Sequence, residues 1–182
     1  FVFSKNTAWQ FDTFFENEID YFKSVVELKN NGKSNLILAR IDTSLEQEEY
    51  FLDIVLDTLK ITASHPKGAM LAIHIVRQIS MLHRSYAPCL SIKDFPKFEW
   101  RGMLLDCSRH FMEKEFVKRY IDLLALHKMN VLHWHITEDQ AWRIAIDSFP
   151  KLTEVGAWRK EKDGSIYGGY YSKEDIKEIV DY

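Results

Sequence analysis

In residues 13–29, TFFENEIDYFKSVVELK, apolar side chains return at Phe15, Ile19, Phe22 and Val26. That spacing predicts an amphipathic helix, which the polar run NNGKSN stops. NLILARI reads as a strand, and EEYFLDIV and TLKITAS read as two more, folded into a hairpin about Leu56-Asp57. PKGAMLAIHIVRQISMLHR opens with Pro66, which suits a first helical position, and continues as an apolar-rich helix. Strands with helices packed on them predict an α+β domain over residues 1–92. The polar, proline-containing segment SIKDFPKFEW marks its boundary.

Beyond the boundary the pattern changes. RGMLLDCS reads as a strand and KEFVKRYIDLLALHKM as a helix with Val117, Tyr120, Ile121 and Leu124 on one face; Asn130 ends the helix and VLHWHI is the next strand. This βαβ order predicts two parallel strands joined by a right-handed crossover. Alternation puts His133 and His135 on one face, with Leu132, Trp134 and Ile136 on the other. In the preceding strand Met103, Leu105 and Cys107 share a face opposite Asp106 and Ser108. An open doubly wound sheet is apolar on both faces. One apolar and one partly polar face suit a β/α barrel better. SKEDIKEIVDY carries Ser172 as N-cap, Asp175 three positions on, and Ile176, Ile179 and Val180 as an apolar face. A complete barrel takes about 250 residues. The expected architecture is therefore an α+β N-terminal domain followed by an incomplete (β/α)8 TIM barrel, its first βαβ units only, over residues 93–182.

Composition narrows the partners. The chain has 182 residues, 46% hydrophobic and 28% charged, with a net charge of −3. These values suit a soluble globular protein and give no electrostatic case for nucleic acid or an anionic membrane. No apolar stretch approaches the roughly 20 residues that span a bilayer. The start, FVFSKNTAW, lacks both an initiator Met and a signal-peptide layout, so a removed leader is expected. Cys89 and Cys107 lie far apart and imply no disulfide framework. Aromatic residues reach 14%, which suits a core and also a carbohydrate site.

Barrel active sites lie at the C-terminal ends of the strands. Here the first strand runs into Ser108-Arg109-His110 and the second into Thr137-Glu138-Asp139. Adjacent strands lie about 4.8 Å apart, so Arg109 reaches Glu138 or Asp139 across the mouth. Two readings stand side by side: a donor fork beside a carboxylate, gripping a polyhydroxylated substrate, or a structural ion pair at a rim. His133 and His135 on one face also suit zinc with a nearby carboxylate, as in metal-dependent amidohydrolases. Imidazoles hydrogen-bonded inside a barrel are the preferred reading, and no metal site is expected. His110 is placed at the site rim; His65, His74, His83 and His127 are read as structural or exposed. Trp142 and Trp158 suit the core or a sugar platform, with the core favoured. GSIYGGYYS reads as a flexible turn, and its paired glycines alone make no phosphate loop.

The run from FPKFEW to GAWR resembles the β-N-acetylhexosaminidases of glycoside hydrolase family twenty. RGMLLDCSRHF, LHKMNVLHWHITEDQAWRI, FPKLTEVGAWR and GGYYSKEDIKEIVDY follow that family's pattern in order and spacing. EEYFLDI, KITAS and GAMLAIHIVRQI resemble the small α+β domain that precedes its barrel. The resemblance implies an exo-acting hydrolase that removes terminal β-linked N-acetylglucosamine or N-acetylgalactosamine from glycans. It further implies substrate-assisted retaining catalysis, an exception to the two-carboxylate scheme, with no cofactor and no metal. Carried onto this chain, Arg109 matches the arginine that grips sugar hydroxyls. Glu138 matches an acidic position that is often Asp, and Asp139 is its acidic neighbour. His110 and His135 are supporting candidates. Ala141 stands where Gly is common. The catalytic Asp-Glu pair belongs to a later strand, and no GGDE-like segment occurs here. The resemblance thus implies supporting groups without the acid, hence an inactive fragment that self-associates through open barrel edges. Secreted, periplasmic or lysosomal localisation follows from the same resemblance. A metal-dependent barrel hydrolase and a non-catalytic interaction module are the alternatives.

Overall fold

The structure, a computed structural model, describes residues 1–26 and 34–182. The end of the first predicted helix and much of its NNGKSN stop lie outside the described residues. The chain divides into two compact units, Phe1–Glu99 and Trp100–Tyr182.

Among the described residues the first unit is a five-stranded mixed sheet with two helices. Its strands are β1 (Ala8–Phe11), β2 (Leu36–Ile41), β3 (Tyr50–Ile54), β4 (Thr58–Ala63) and β5 (Leu90–Asp94), in spatial order β1-β2-β4-β3-β5. β1, β2 and β4 run parallel, while β3 lies antiparallel to both β4 and β5. The register sets Tyr50, Leu52 and Ile54 opposite Ala63, Ile61 and Leu59. All six are buried, so one face of the sheet is continuously apolar. Helix α1 (Glu16–Val25) extends a short 3-10 turn at Thr13–Phe15, and Phe15, Ile19, Phe22 and Val26 are all buried, as their spacing predicts. Helix α2 (Pro66–His83) starts at the expected proline. His65 caps it, its Nδ1 accepting from the Lys67 amide at 3.2 Å. Gly68 is needed there because a Cβ would lie 2.6 Å from the Glu49 carbonyl oxygen. Each fully buried Leu, Ile or Phe contributes roughly 1.5–3 kcal/mol, so this core is the unit's main source of apolar stabilisation.

Two strands escaped the sequence pattern. β1 is only four residues long and shows no pattern of its own. β5 begins at Leu90, one residue before the polar connection, and runs into it as far as Asp94, so a boundary between residues 92 and 93 would cut it in two. Its polar Ser91 and Lys93 read as linker, yet they are the outward residues of an edge strand whose Leu90 and Ile92 pack on the core.

The second unit contains β6 (Gly102–Asp106), α3 (Lys114–Leu126) and β7 (Val131–His135), and β6 and β7 pair in parallel as the βαβ pattern predicts. Helix α3 ends at Leu126 rather than at Asn130. Lys128 turns the chain with a left-handed φ of 58°. Asn130 instead ties the start of β7 to β6: its side-chain oxygen accepts from the Arg101 amide at 2.9 Å and its own amide donates to the Arg101 carbonyl at 2.8 Å. Two further hairpins follow, β8 (Thr137–Glu138) with β9 (Ala141–Trp142), and β10 (Trp158–Lys160) with β11 (Ile166–Gly168), separated by the short helix α4 (Lys151–Glu154). The segment expected as a flexible turn is thus partly strand β11. A Cβ at Gly168 would lie 2.1 Å from the Ala157 carbonyl oxygen, which accounts for one of its glycines. Helix α5 (Lys173–Asp181) begins with the predicted capping box, Ser172 and Asp175 each serving the other's amide. Leu105, Cys107, Val117, Tyr171 and Ile179 form a small core, with Leu132, Trp134, Ile136 and Ile176 packed against it. Val180, assigned to the apolar face, is exposed, and Met103 is half-exposed.

Candidate functional site

The register of β6 on β7 places Leu104 beside His133 and Asp106 beside His135. The face opposite the small core is therefore the polar one, as alternation predicts. Its working end lies just past the strand termini. There the Asp106 carboxylate organises the chain that follows it: Oδ1 accepts from the amides of Ser108 at 3.1 Å and Arg109 at 3.0 Å. Its second oxygen, Oδ2, accepts from Arg109 Nη1 at 2.5 Å. Arg109 then crosses to the neighbouring strand end, where Nη2 donates to Glu138 Oε2 at 3.1 Å. The pairing expected from strand spacing alone is present.

Electrostatics match that geometry. The Arg109 amide, then its guanidinium, hold the Asp106 carboxyl below the usual range against a contrary effect of burial. The Asp139 amide, donating to Glu138 Oε1 at 3.2 Å, does the same for Glu138, with help from Arg109 and His135. Asp106 in turn raises the Arg109 guanidinium above its ordinary value. The site is thus a cation held between two carboxylates, and its arginine side chain is 49% exposed. Such a group presents spare N–H donors to an incoming polar ligand.

The other sequence candidates fall around it. His135 Nε2 is buried and lies 3.3 Å from Glu138 Oε2, close enough to bias the carboxylate but not aligned as a hydrogen bond. Asp139 contributes its amide and a long-range charge felt by Arg109. His110 meets the Tyr167 ring edge-on at 6.5 Å. The His133 and His135 rings are 5.7 Å apart, and among the described residues no group of three His, Cys, Asp or Glu side chains gathers to hold a metal ion. Trp142 is partly buried and donates to the Ile144 carbonyl at 2.8 Å, whereas Trp158, favoured for the core, is 44% exposed.

One residue went unnoticed in the sequence. Arg143 is completely buried and has no carboxylate partner among the described residues. Its guanidinium donates to three carbonyls instead: Ser108 from Nε at 3.1 Å and Nη2 at 2.8 Å, Ala157 from Nη1 at 2.5 Å, and Gly169 from Nη1 at 3.1 Å. The Phe111 ring covers it at 5.7 Å. Burial pushes this guanidinium below its ordinary value. Nothing in an isolated arginine codon flanked by Trp142 and Ile144 announces such a role, because carbonyl acceptors leave no trace in sequence.

Known proteins share this arrangement of strands. Residues 98–182 match the glycosyl hydrolase family 20 catalytic domain. Over 168 residues the chain is 38% identical to a β-hexosaminidase of Porphyromonas gingivalis, covering 86% of this chain and 22% of that protein. A β-hexosaminidase of Vibrio furnissii is 38% identical over 165 residues, covering 83% of this chain and 26% of the relative. The chain therefore spans about a quarter of the length of these curated relatives. Among solved structures, the GH20 exo β-N-acetylglucosaminidase of Vibrio harveyi in complex with N-acetylglucosamine matches with a TM-score of 0.86 at 30% identity, over 100% of this chain and 31% of that one. The GH20 β-N-acetylhexosaminidase of Streptomyces coelicolor A3(2) matches with a TM-score of 0.83 at 33% identity, over 100% of this chain and 40% of that one. Residues 98–182 thus match the catalytic domain of glycosyl hydrolase family 20, and most of the chain is similar to part of the β-hexosaminidases.

Proposed function

We propose that the ends of β6 and β7 form the sugar-gripping part of an exo-acting β-N-acetylhexosaminidase site, and that these two strands open a (β/α)8 barrel. The observation that carries this reading is the Arg109 fork, held by Asp106 and meeting Glu138 across adjacent parallel strand ends. Vicinal hydroxyls of a pyranose accept from a guanidinium and donate to a carboxylate, so this pair suits a terminal sugar. Asp139, His110 and His135 support that grip from around it. A relative crystallised with N-acetylglucosamine favours that sugar class as the ligand. In the substrate-assisted reaction, the sugar's acetamido oxygen attacks the anomeric carbon while the glycosidic bond breaks. A carboxylic acid protonates the departing oxygen, and water then opens the oxazolinium with net retention.

On this reading none of the described residues acts as that acid. Binding substrate and transition state equally tightly does not accelerate a chemical step, whereas a positioned acid contributes roughly 10²–10⁴-fold. The chain alone is expected to leave a chromogenic β-N-acetylglucosaminide uncleaved in an assay that reads turnover by the full-length Porphyromonas gingivalis relative. Turnover within tenfold of that relative, abolished by Glu138→Gln, would mean that the acid is already here.

The isolated chain also self-associates on this reading. Among the described residues β6 and β7 pair only with each other, leaving their outer edges open. Beside β7 runs an apolar groove of about 420 Å³ lined by Ile121, Leu132, Trp134 and Ile179. A second copy covers it. A strictly monomeric species in sedimentation velocity at high concentration would rule this out.

A further inference from the structure

Arg109 has two neighbours of the same charge, and both hold its backbone. Arg143 donates twice to the Ser108 carbonyl, which belongs to the peptide on the N-terminal side of Arg109. Arg159 Nη1 donates to the Arg109 carbonyl at 2.8 Å, fixing the peptide on the other side. Arg159 is itself held by Glu161 at 2.7 Å and stacks over Tyr167 at 4.9 Å. We propose that Arg143 and Arg159 are positioning residues that clamp both peptides flanking Arg109 and so fix where its guanidinium points.

Burying a guanidinium without a carboxylate is costly, and apolar residues of similar volume usually serve a core as well or better. The bonds Arg143 makes are directional, which packing alone would not require. Its acceptors come from the exit of β6, the entry to β10 and the exit of β11. Its own amide donates to the Ile136 carbonyl past β7 at 2.9 Å, and its carbonyl accepts from Tyr171 at 2.8 Å. One side chain thereby gathers the loops that meet at Arg109. A rigid fork matters because a ligand-binding cation that wanders must be ordered on binding, which weakens affinity.

The inference deepens the sugar-binding reading of Arg109 and rests on it for the ligand only. The test uses this chain labelled with ¹⁵N-arginine, with the Arg109 Nε signal assigned by its disappearance in Arg109→Lys. Two variants release the two clamps separately, Arg143→Lys and Arg159→Met, with folding checked by circular dichroism and thermal melting. Both folded variants are expected to lower the Arg109 Nε order parameter clearly below that of the unsubstituted chain. N-acetylglucosamine titrated into the same samples is expected to bind roughly tenfold more weakly. An Arg109 signal equally rigid and unshifted in the folded variants would reduce both residues to structural supports and overturn the proposal. Should Arg143→Lys not fold, the more exposed Arg159→Met decides alone. If N-acetylglucosamine leaves the wild-type Arg109 signal unmoved while the variants loosen it, the clamp stands and the sugar-binding reading fails.

Discussion

The two units of this chain reach order by different means. The first closes a five-stranded sheet under two helices, with a core running from Phe1 to Ala87. In the second, strands occur only as pairs, the core is five buried side chains with a few neighbours, and a buried arginine ties the loops together. Apolar burial is non-directional and scales with area, so it stabilises a layer without specifying where one side chain points. Hydrogen bonds from a fixed fork do the reverse. A unit that holds a site gains from the second kind of order, and the unit that carries Arg109 has it.

The largest expected effect falls on the first unit. Phe22 is completely buried among Phe3 and Trp9, and Phe22→Ala should cost about 3–5 kcal/mol of that unit's stability in urea denaturation. A loss below about 1 kcal/mol would mean that area is not what holds it, and the contrast would collapse. In the second unit local caps should matter more than single apolar contacts at the surface. Ser172→Ala removes half of the α5 capping box and should cost about 1 kcal/mol, read as faster amide exchange at Asp175. Unchanged exchange there would show that α5 is held by Ile176 and Ile179 alone.

The smallest effect is that of acid. Asp106 and Glu138, and likewise Asp175 and Glu178 beside Lys114, are held below their ordinary values in the folded chain. A depressed carboxyl stabilises the fold above its unfolded pKa and loses that contribution as pH falls through its folded value. These groups are partly or largely exposed, so screening keeps the effect modest. Melting temperature should therefore hold steady from pH 7 down to about 5 and fall below the carboxylate range. A melting temperature of the second unit that rises on acidification would contradict the assignment of these pairs.

Much of this arrangement was legible before any coordinates. Period-2 alternation in VLHWHI placed His133 and His135 on the polar face, and strand spacing alone brought Arg109 within reach of Glu138. The spacing of Phe15, Ile19, Phe22 and Val26 named a buried helix face. What was missed has three causes. β1 is four residues long, and β5 is an edge strand whose outward positions are polar, so neither shows a run long enough to exceed chance. Val180 sits one position from a buried Ile179 yet faces water, since a short helix buries a narrow stripe. Arg143 was invisible because its partners are main-chain oxygens, which every residue supplies. Sequence reports which side chains want company; it does not report which carbonyls are left over.

The packing around Trp134 has an optical consequence. Its ring meets Tyr171 edge-on at 4.5 Å, and its indole N–H points at the Cys107 sulfur at 3.3 Å. Tyrosine at that range passes its excitation to the indole, while a thiol in contact drains the excited indole without light. Trp134 is therefore expected to emit more weakly in the folded chain than the other four tryptophans, at positions 9, 100, 142 and 158. Unfolding separates Trp134 from Cys107 and lights it. The Trp134 share of the emission change on denaturation is expected to report the opening of the second unit's small core, a built-in lamp that needs no label.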